Sequence, residues 1–224
     1  MRVVLLLGGA VIDSVKSGDV SLAKEYSRII EKIVRRGHRI SIVVGGGKLA
    51  REFIEVAEKL GAPPAIMDLM GIEITRINAM LIASALGDLA VRKIPRSYEE
   101  FMLLYESGKV VVAGGMAPGQ STDAVAAVIS ELTQADLMVK ATGVDGVLVE
   151  GEKGPYVVDQ MSYEELEDLI RRFRFYPGKY DLMDLVAVRV LKRSGIKCVI
   201  LNGLKPTLIL RAVGGEDVGT VVGD

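Results

Sequence analysis

Short unbroken apolar runs alternate along the chain with longer stretches in which apolar positions recur every three or four residues. Val3-Val4-Leu5-Leu6-Leu7 is one such run, and it stops at Gly8-Gly9. Between Ser21 and Arg36, the residues Leu22, Tyr26, Ile29, Ile30, Ile33 and Val34 share one helical face. This spacing predicts a helix, with Arg35 and Arg36 in its last turn and Gly37 closing it. Ile40 to Val44 reads as the next strand, followed by Gly45-Gly46-Gly47. Lys48 to Leu60 reads as a helix stopped by Gly61, and after Pro63-Pro64 a helical stretch runs to about Leu86. The pattern then recurs. A strand from Lys109 to Ala113 ends in Gly114-Gly115, Ser121 to Thr133 is a helix, and Leu137 to Ala141 is a strand. Strands with no polar alternation are buried on both faces, and helices between them make the sheet parallel. The expected fold is α/β: a three-layer α/β/α sandwich with a mostly parallel central sheet.

Beyond Gly146 the texture changes. Val147 to Val149 and Tyr156 to Val158 flank a polar segment, Glu150 to Pro155, and read as a surface hairpin. Ser162, with Glu165 three residues on, forms a capping box. A helix from Asp184 to Arg193, a strand from Ile196 to Leu201, a short helix from Pro206 to Val213 and a strand from Thr220 to Val222 complete the chain. No linker or internal repeat divides it, so residues 1–224 read as one domain. The stretch Ile66 to Leu86 is apolar around most of its circumference. Such a helix is buried on several sides, either within the chain or partly in a subunit interface.

Composition narrows the function. At 224 residues the chain can bury a large core without staples. A net charge of -1 offers no basic surface for nucleic acid or an anionic membrane. Absent Trp and only 5% aromatic residues argue against a platform that stacks single-stranded bases. A single cysteine, Cys198, excludes a disulfide framework and a Cys-rich zinc site, and reads as a core residue. A single histidine, His38, excludes a His-cluster metal site and reads as a surface residue. The run Val3 to Ile12 is too short to span a bilayer and has no cleavage site behind it, so a cytoplasmic protein is expected.

The candidate chemistry lies at the strand ends. Three glycine clusters each follow a predicted strand, where an open parallel sheet binds ligands. Glycine lets backbone N–H groups approach an anion, and the next helix adds about half a positive charge at its N-terminus. No GxxxxGK[ST] or GxGxxG is present, so any phosphate cradle is of another type. Lys48 and Arg51 share a face just inside the helix after Gly47, and meet either phosphate or solvent. Asp68 either accepts from a sugar hydroxyl or pairs with Arg76. Pro118 to Asp123 leads from a strand into a helix. Ser121 or Thr122 caps that helix and lies where a phosphate would sit. Thr142 to Gly146 again follows a strand, and Asp145-Gly146 is at least a turn.

Taken together, these segments resemble the amino acid kinase superfamily, and within it the archaeal-type UMP kinases. Val43 to Arg51 is similar to that family's second glycine motif, and Asp68 to Ala79 to its acceptor-side helix. Gly114-Gly115 through Ala127 resembles its nucleotide-wrapping loop, and Thr142 to Val147 its ATP-side turn. The likeness extends to the closing Gly219 to Val222. The resemblance implies phosphoryl transfer from ATP to UMP in pyrimidine nucleotide synthesis, with Mg²⁺ accompanying ATP. It implies that Gly46 and Asp68 hold UMP, and that Met116, Ala117, Pro118, Gly119, Gln120, Ser121 and Thr122 wrap the same nucleotide. It gives Gly8, Gly9, Ala10, Gly47, Arg51, Thr142, Gly143, Leu148 and Gly151 to the ATP side, with Arg51 and Gly9 as the catalytic pair. Residues 1–140 would then form an acceptor lobe and 141–224 an ATP lobe, in a homohexamer built as a trimer of dimers. Neither nucleic acid nor a membrane is an expected partner.

The sequence departs from the pattern in several places. Many superfamily members carry a lysine on the first strand, where this chain has Leu6. Losing such a donor costs about 3–4 kcal/mol of transition-state stabilisation. Lys16, Lys140 and Lys179 are the candidate substitutes. Gly143 and Leu148 replace a common Asn and a common aromatic residue. The hairpin also lacks the family's acidic-Pro motif. The alternatives are a kinase of another small acid or phosphate, and a non-catalytic nucleotide- or oxyanion-binding protein of the same fold.

Overall fold

The computed structural model describes residues 1–16, 20–151, 154–173 and 182–223. Strand β1 (Arg2–Leu7) leads through Gly8 into helix α1 (Gly9–Lys16). In sequence, Gly8-Gly9 reads only as the stop of the first strand. Gly8 O accepts from Val11 N and Ile12 N at 3.1 and 3.2 Å, and Val11, Ile12 and Val15 are buried. Helix α2 (Ser21–Arg35), strand β2 (Arg39–Val44), helix α3 (Gly47–Lys59) and helix α4 (Pro64–Leu86) follow the expected order. Helix α5 (Tyr98–Tyr105) was not anticipated. Ser97 caps it, its Oγ accepting from Glu100 N at 3.2 Å.

Strand β3 (Val111–Ala113), helix α6 (Thr122–Leu132) and strand β4 (Leu137–Thr142) match the expected segments within a few residues. Strands β5 (Val147–Gly151) and β6 (Gly154–Val158) pair antiparallel as the predicted hairpin. A two-residue strand β7 (Gln160–Met161) precedes α7 (Tyr163–Phe173). The capping box of α7 forms, with Ser162 N donating to Glu165 Oε2 at 2.8 Å and Glu165 N to Ser162 Oγ at 3.2 Å. Helix α8 (Leu185–Ser194), strand β8 (Lys197–Asn202), helix α9 (Thr207–Val213) and strand β9 (Thr220–Val222) end the chain.

Seven strands form one sheet in the order β3-β2-β1-β4-β8-β9-β7. Pairs from β3 through β8 are parallel, and β9 runs antiparallel to β8. The 140/141 division expected between lobes falls inside β4, so both halves share this sheet. Side chains of β1 alternate between two cores. Val3, Leu5 and Leu7 join Ile30, Ile42 and Ile82 on one face. Val4 and Leu6 join Phe101, Ile129, Leu166 and Ile200 on the other. Each fully buried aliphatic side chain contributes about 1.5–3 kcal/mol, so a helix layer on both faces follows directly from strands without polar alternation.

Helix α4 packs its inner face on α3, β2 and β3. By length and composition Pro64–Leu89 is apolar enough to cross a membrane. Its outer face leaves Ile66, Leu69, Ile77, Met80 and Leu81 exposed, and α3, against which it packs, exposes Phe53 and Val56, with Leu60 just after it also exposed. Cys198 is fully buried in β8, and burial pushes its thiol up to about 12. His38 is partly exposed, with Nδ1 3.2 Å from the amine of Met1.

Candidate active site

Along the chain, β1, β2 and β3 build the sheet outward in one direction, whereas β4 and β8 extend it in the other. The order therefore reverses between β1 and β4, and a crevice opens beyond the carboxyl ends of the strands at such a point. A cleft of about 650 Å³ lies there. Gly8, Gly9 and Ala10 line it after β1, and Gly45, Gly46, Gly47 and Arg51 after β2. Helix α4 contributes Asp68, Gly71, Ile72 and Thr75. The β3–α6 connection adds Gly115, Ala117, Gln120, Ser121, Thr122 and Asp123, and β4 adds Lys140, Thr142 and Gly143.

The structure thus gathers most of the expected residues from both proposed nucleotide sides. Met116, Pro118 and Gly119 belong to the same loop but do not line the cleft. Met116 packs into the same core as Leu6, and Gly119 N donates to Asp68 Oδ2 at 2.7 Å. Leu148 and Gly151 sit on the β5–β6 hairpin, outside the cleft lining. Of the candidate lysines, Lys140 lines the cleft, Lys16 pairs with Asp13 at 3.5 Å outside the lining, and Lys179 lies outside the described residues.

Two glycine turns meet at the centre. Gly47 has φ +66°, and a Cβ there would fall 2.4 Å from Asp13 Oδ1. A Cβ on Gly9 would lie 3.1 Å from Gly47 Cα. Only residues without side chains let the β1 and β2 turns approach this closely. Asp13 occupies the start of α3. Its carboxylate accepts from Lys48 N at 2.8 and 3.0 Å, and Arg51 Nη2 lies 3.8 Å from Oδ2. The α3 N-terminus, expected to offer amides to an anion, therefore already holds a carboxylate at Lys48 N. Gly9 and Ala10 open α1, where first-turn amides have no helical partner. Lys48 Nζ reaches Glu52 at 3.4 Å and stands clear of the cleft, a solvated helix charge.

On the opposite wall, Arg76 pairs with Glu73 at 2.7 Å, not with Asp68. Asp68 is instead tied to the Gly119 amide, which joins α4 to the β3–α6 loop. Thr75, Asn78 and Tyr98, to which the sequence gives no individual role, also brace this site. Thr75 Oγ1 accepts from Gly115 N at 2.6 Å, and Asn78 Nδ2 donates to Gly45 O and Gly46 O at 2.9 and 3.1 Å. Tyr98 OH donates to Gln120 Oε1 at 2.7 Å, and burial pushes its phenol up to about 12. Ser121 Oγ caps α6 through Ala124 N and donates to Asp184 Oδ2 at 2.6 Å, linking the loop to α8. Asp145 accepts from Asn202 and Lys205, each at 3.0 Å. These bonds hold its carboxyl below the usual range, the Asn202 bond foremost.

The cleft offers backbone amides, hydroxyls, Arg51 and Lys140. This donor set suits phosphate oxygens. Among the described residues no three His, Cys, Asp or Glu side chains cluster to hold a metal.

The whole-chain comparisons agree with this geometry. Residues 1–202 match the model of the amino acid kinase family. A uridylate kinase of Methanocaldococcus jannaschii is 40% identical over 99% of both chains, and one of Methanobrevibacter smithii is 38% identical over 99% of both. The crystal structure of uridylate kinase from Archaeoglobus fulgidus superimposes with a TM-score of 0.88 at 39% identity, covering 100% of each chain. The sheet order, the cleft at its reversal and this likeness along the full length place the chain in the amino acid kinase family.

Proposed function

We propose that the chain is a uridylate kinase, transferring a phosphoryl group from ATP to UMP to give ADP and UDP. The observation that carries this reading is one cleft joining the acceptor-type wall of α4 and the β3–α6 loop to the glycine turns after β1 and β2. Gly46, Asp68 and the loop from Met116 to Thr122 hold UMP. Gly8, Gly9, Ala10, Gly47, Arg51, Thr142 and Gly143 serve the ATP phosphates, with the Leu148–Gly151 strand on the ATP side. Residues 1–140 and 141–224 act as acceptor and donor halves. Mg²⁺ enters bound to the ATP phosphates, as part of the substrate.

The acceptor explains the absence of a general base from this set. The UMP phosphate has a second pKa near 6 and is largely a dianion at neutral pH. Its oxygen attacks without prior proton removal, so catalysis is positioning plus charge neutralisation. Purified protein given ATP, Mg²⁺ and each nucleoside monophosphate in turn should release ADP rapidly with UMP alone. Binding without turnover would remove the kinase reading.

Asp68→Asn tests the acceptor wall. Replacing the carboxylate that accepts from Gly119 N by a neutral amide weakens that bond and should raise KM for UMP by about tenfold, the difference a charged acceptor makes. KM for ATP should change little. Equal effects on both substrates would remove the assignment.

The exposed apolar faces of α3 and α4 fit a second copy of this chain, the pairing unit of a larger homo-oligomer. A monomeric mass in sedimentation equilibrium would remove that part of the reading. The protein is expected to act in the cytoplasm, on nucleotides.

A further inference from the structure

Given the phosphotransferase reading, we propose that Lys140 on β4 is the phosphate-facing cation of this cleft.

The register carries the argument. β1 and β4 are parallel neighbours, and Leu6 and Lys140 are direct partners. Paired residues on adjacent parallel strands project to the same face, about 4.8 Å apart. A lysine rooted at either position serves the same ground, because its flexible four-carbon stem absorbs one strand spacing. Leu6 therefore does not leave the site without a cation. The cation stands one strand over.

Its surroundings point the same way. Lys140 is 6% exposed, and its partners in the sheet are Leu6 and Ile200, exposed 2% and 0%. A charge among apolar neighbours is costly, and a buried ion pair is weak evidence of stabilisation. Lys140 has a single ion-pair partner among the described residues, Asp123 Oδ1 at 2.6 Å, and both residues line the cleft. An ammonium group has three donors. The Asp123 charge holds the head group in place, which leaves its donors for phosphate oxygens. Arg51, the other cation in the lining, has a side chain 72% exposed. The cleft thus pairs one buried, ion-paired cation with one largely exposed cation.

In the reaction, a UMP phosphate oxygen bonds to the γ-phosphorus of ATP as the bond to the β-bridging oxygen breaks. ADP departs with that electron pair. Lys140 neutralises charge on the phosphate oxygens and transfers no proton.

Lys140→Met in the full-length protein is the test, read by two measurements. With UMP and ATP, kcat should fall by about 10²–10³. Calorimetric binding of inorganic tripolyphosphate should weaken by about tenfold or more, a readout that does not depend on turnover. Leu6→Lys/Lys140→Met, which returns the amine to β1, should recover both toward the parent. A lysine needed only for packing would not be rescued from the next strand. Should Lys140→Met fail to fold, Asp123→Leu/Lys140→Met removes both charges, and its tripolyphosphate affinity gives the same answer. Losses smaller than about tenfold in both readouts overturn the assignment. A parent that binds tripolyphosphate but does not turn over UMP would instead remove the kinase reading, leaving the binding arm to judge Lys140.

Discussion

Asp123→Ala should destabilise the protein by about 3–5 kcal/mol, the cost of breaking one side of a buried pair. For a chain of this size that lowers Tm by roughly 6–20 °C. The effect comes from what is left behind. Lys140 Nζ would lose Asp123 Oδ1 at 2.6 Å and remain beneath the cleft, between Leu6 and Ile200. Asp123 also stands in the first turn of α6, where a carboxylate gains about 0.3–1 kcal/mol from the helix dipole. Asp123→Ala/Lys140→Met should recover most of the loss, because apolar replacement of a whole buried pair is often neutral. Urea unfolding of the four proteins in the cycle gives the coupling directly. A single-variant loss under about 1 kcal/mol, as exposed pairs give, would show the pair to be effectively solvated.

That pair was invisible along the sequence because it depends on strand order. The apolar runs announced β1, β2 and β4, and the glycines behind them marked the cleft. Nothing in Leu5-Leu6-Leu7 says that Lys140 will be its neighbour; β4 must first insert beside β1. Asp13 was missed for a similar reason. It lies on α1, an eight-residue helix hidden because Gly8-Gly9 reads as a turn. Its partner amide, Lys48 N, is 35 residues away. Thr75 and Asn78 stood in plain sight on an apolar helix, yet their bonds to Gly115, Gly45 and Gly46 exist only once α4 packs across the strand ends. Helix α5 carried a readable signal in Ser97-Tyr98-Glu99-Glu100, a cap followed by acidic residues in the first turn. Tyr98 on that helix then braces Gln120 in the β3–α6 loop. Local chemistry wrote the turns and caps, whereas the contacts that position the site join distant segments.

Arg51→Ala should separate turnover from stability. Arg51 lies on α3 with its side chain 72% exposed, and Nη2 is 3.8 Å from Asp13 Oδ2. A contact this long between partly exposed groups contributes little to folding, so unfolding should shift by no more than about 0.5 kcal/mol. The rate is another matter. The guanidinium lies beside the first glycine turn, where a Cβ on Gly9 would be 3.6 Å from Nη1. It also lines the cleft in which the transferring phosphates are proposed to sit. A planar fork there can bind two phosphate oxygens at once and gains strength as substrate displaces water. Its removal should lower kcat by about 10²–10³, or about 3–4 kcal/mol of transition-state stabilisation. Arg51→Lys should recover only part of this, since an ammonium cannot reproduce the fork. Asp123→Ala and Arg51→Ala therefore probe opposite designs: a buried cation held in place at a cost in stability, and an exposed one held at almost none. If Arg51→Ala keeps its rate within about threefold of the parent, Arg51 is only a solvated helix charge. Neutralisation of the phosphates then rests on Lys140 and the amides that open α1.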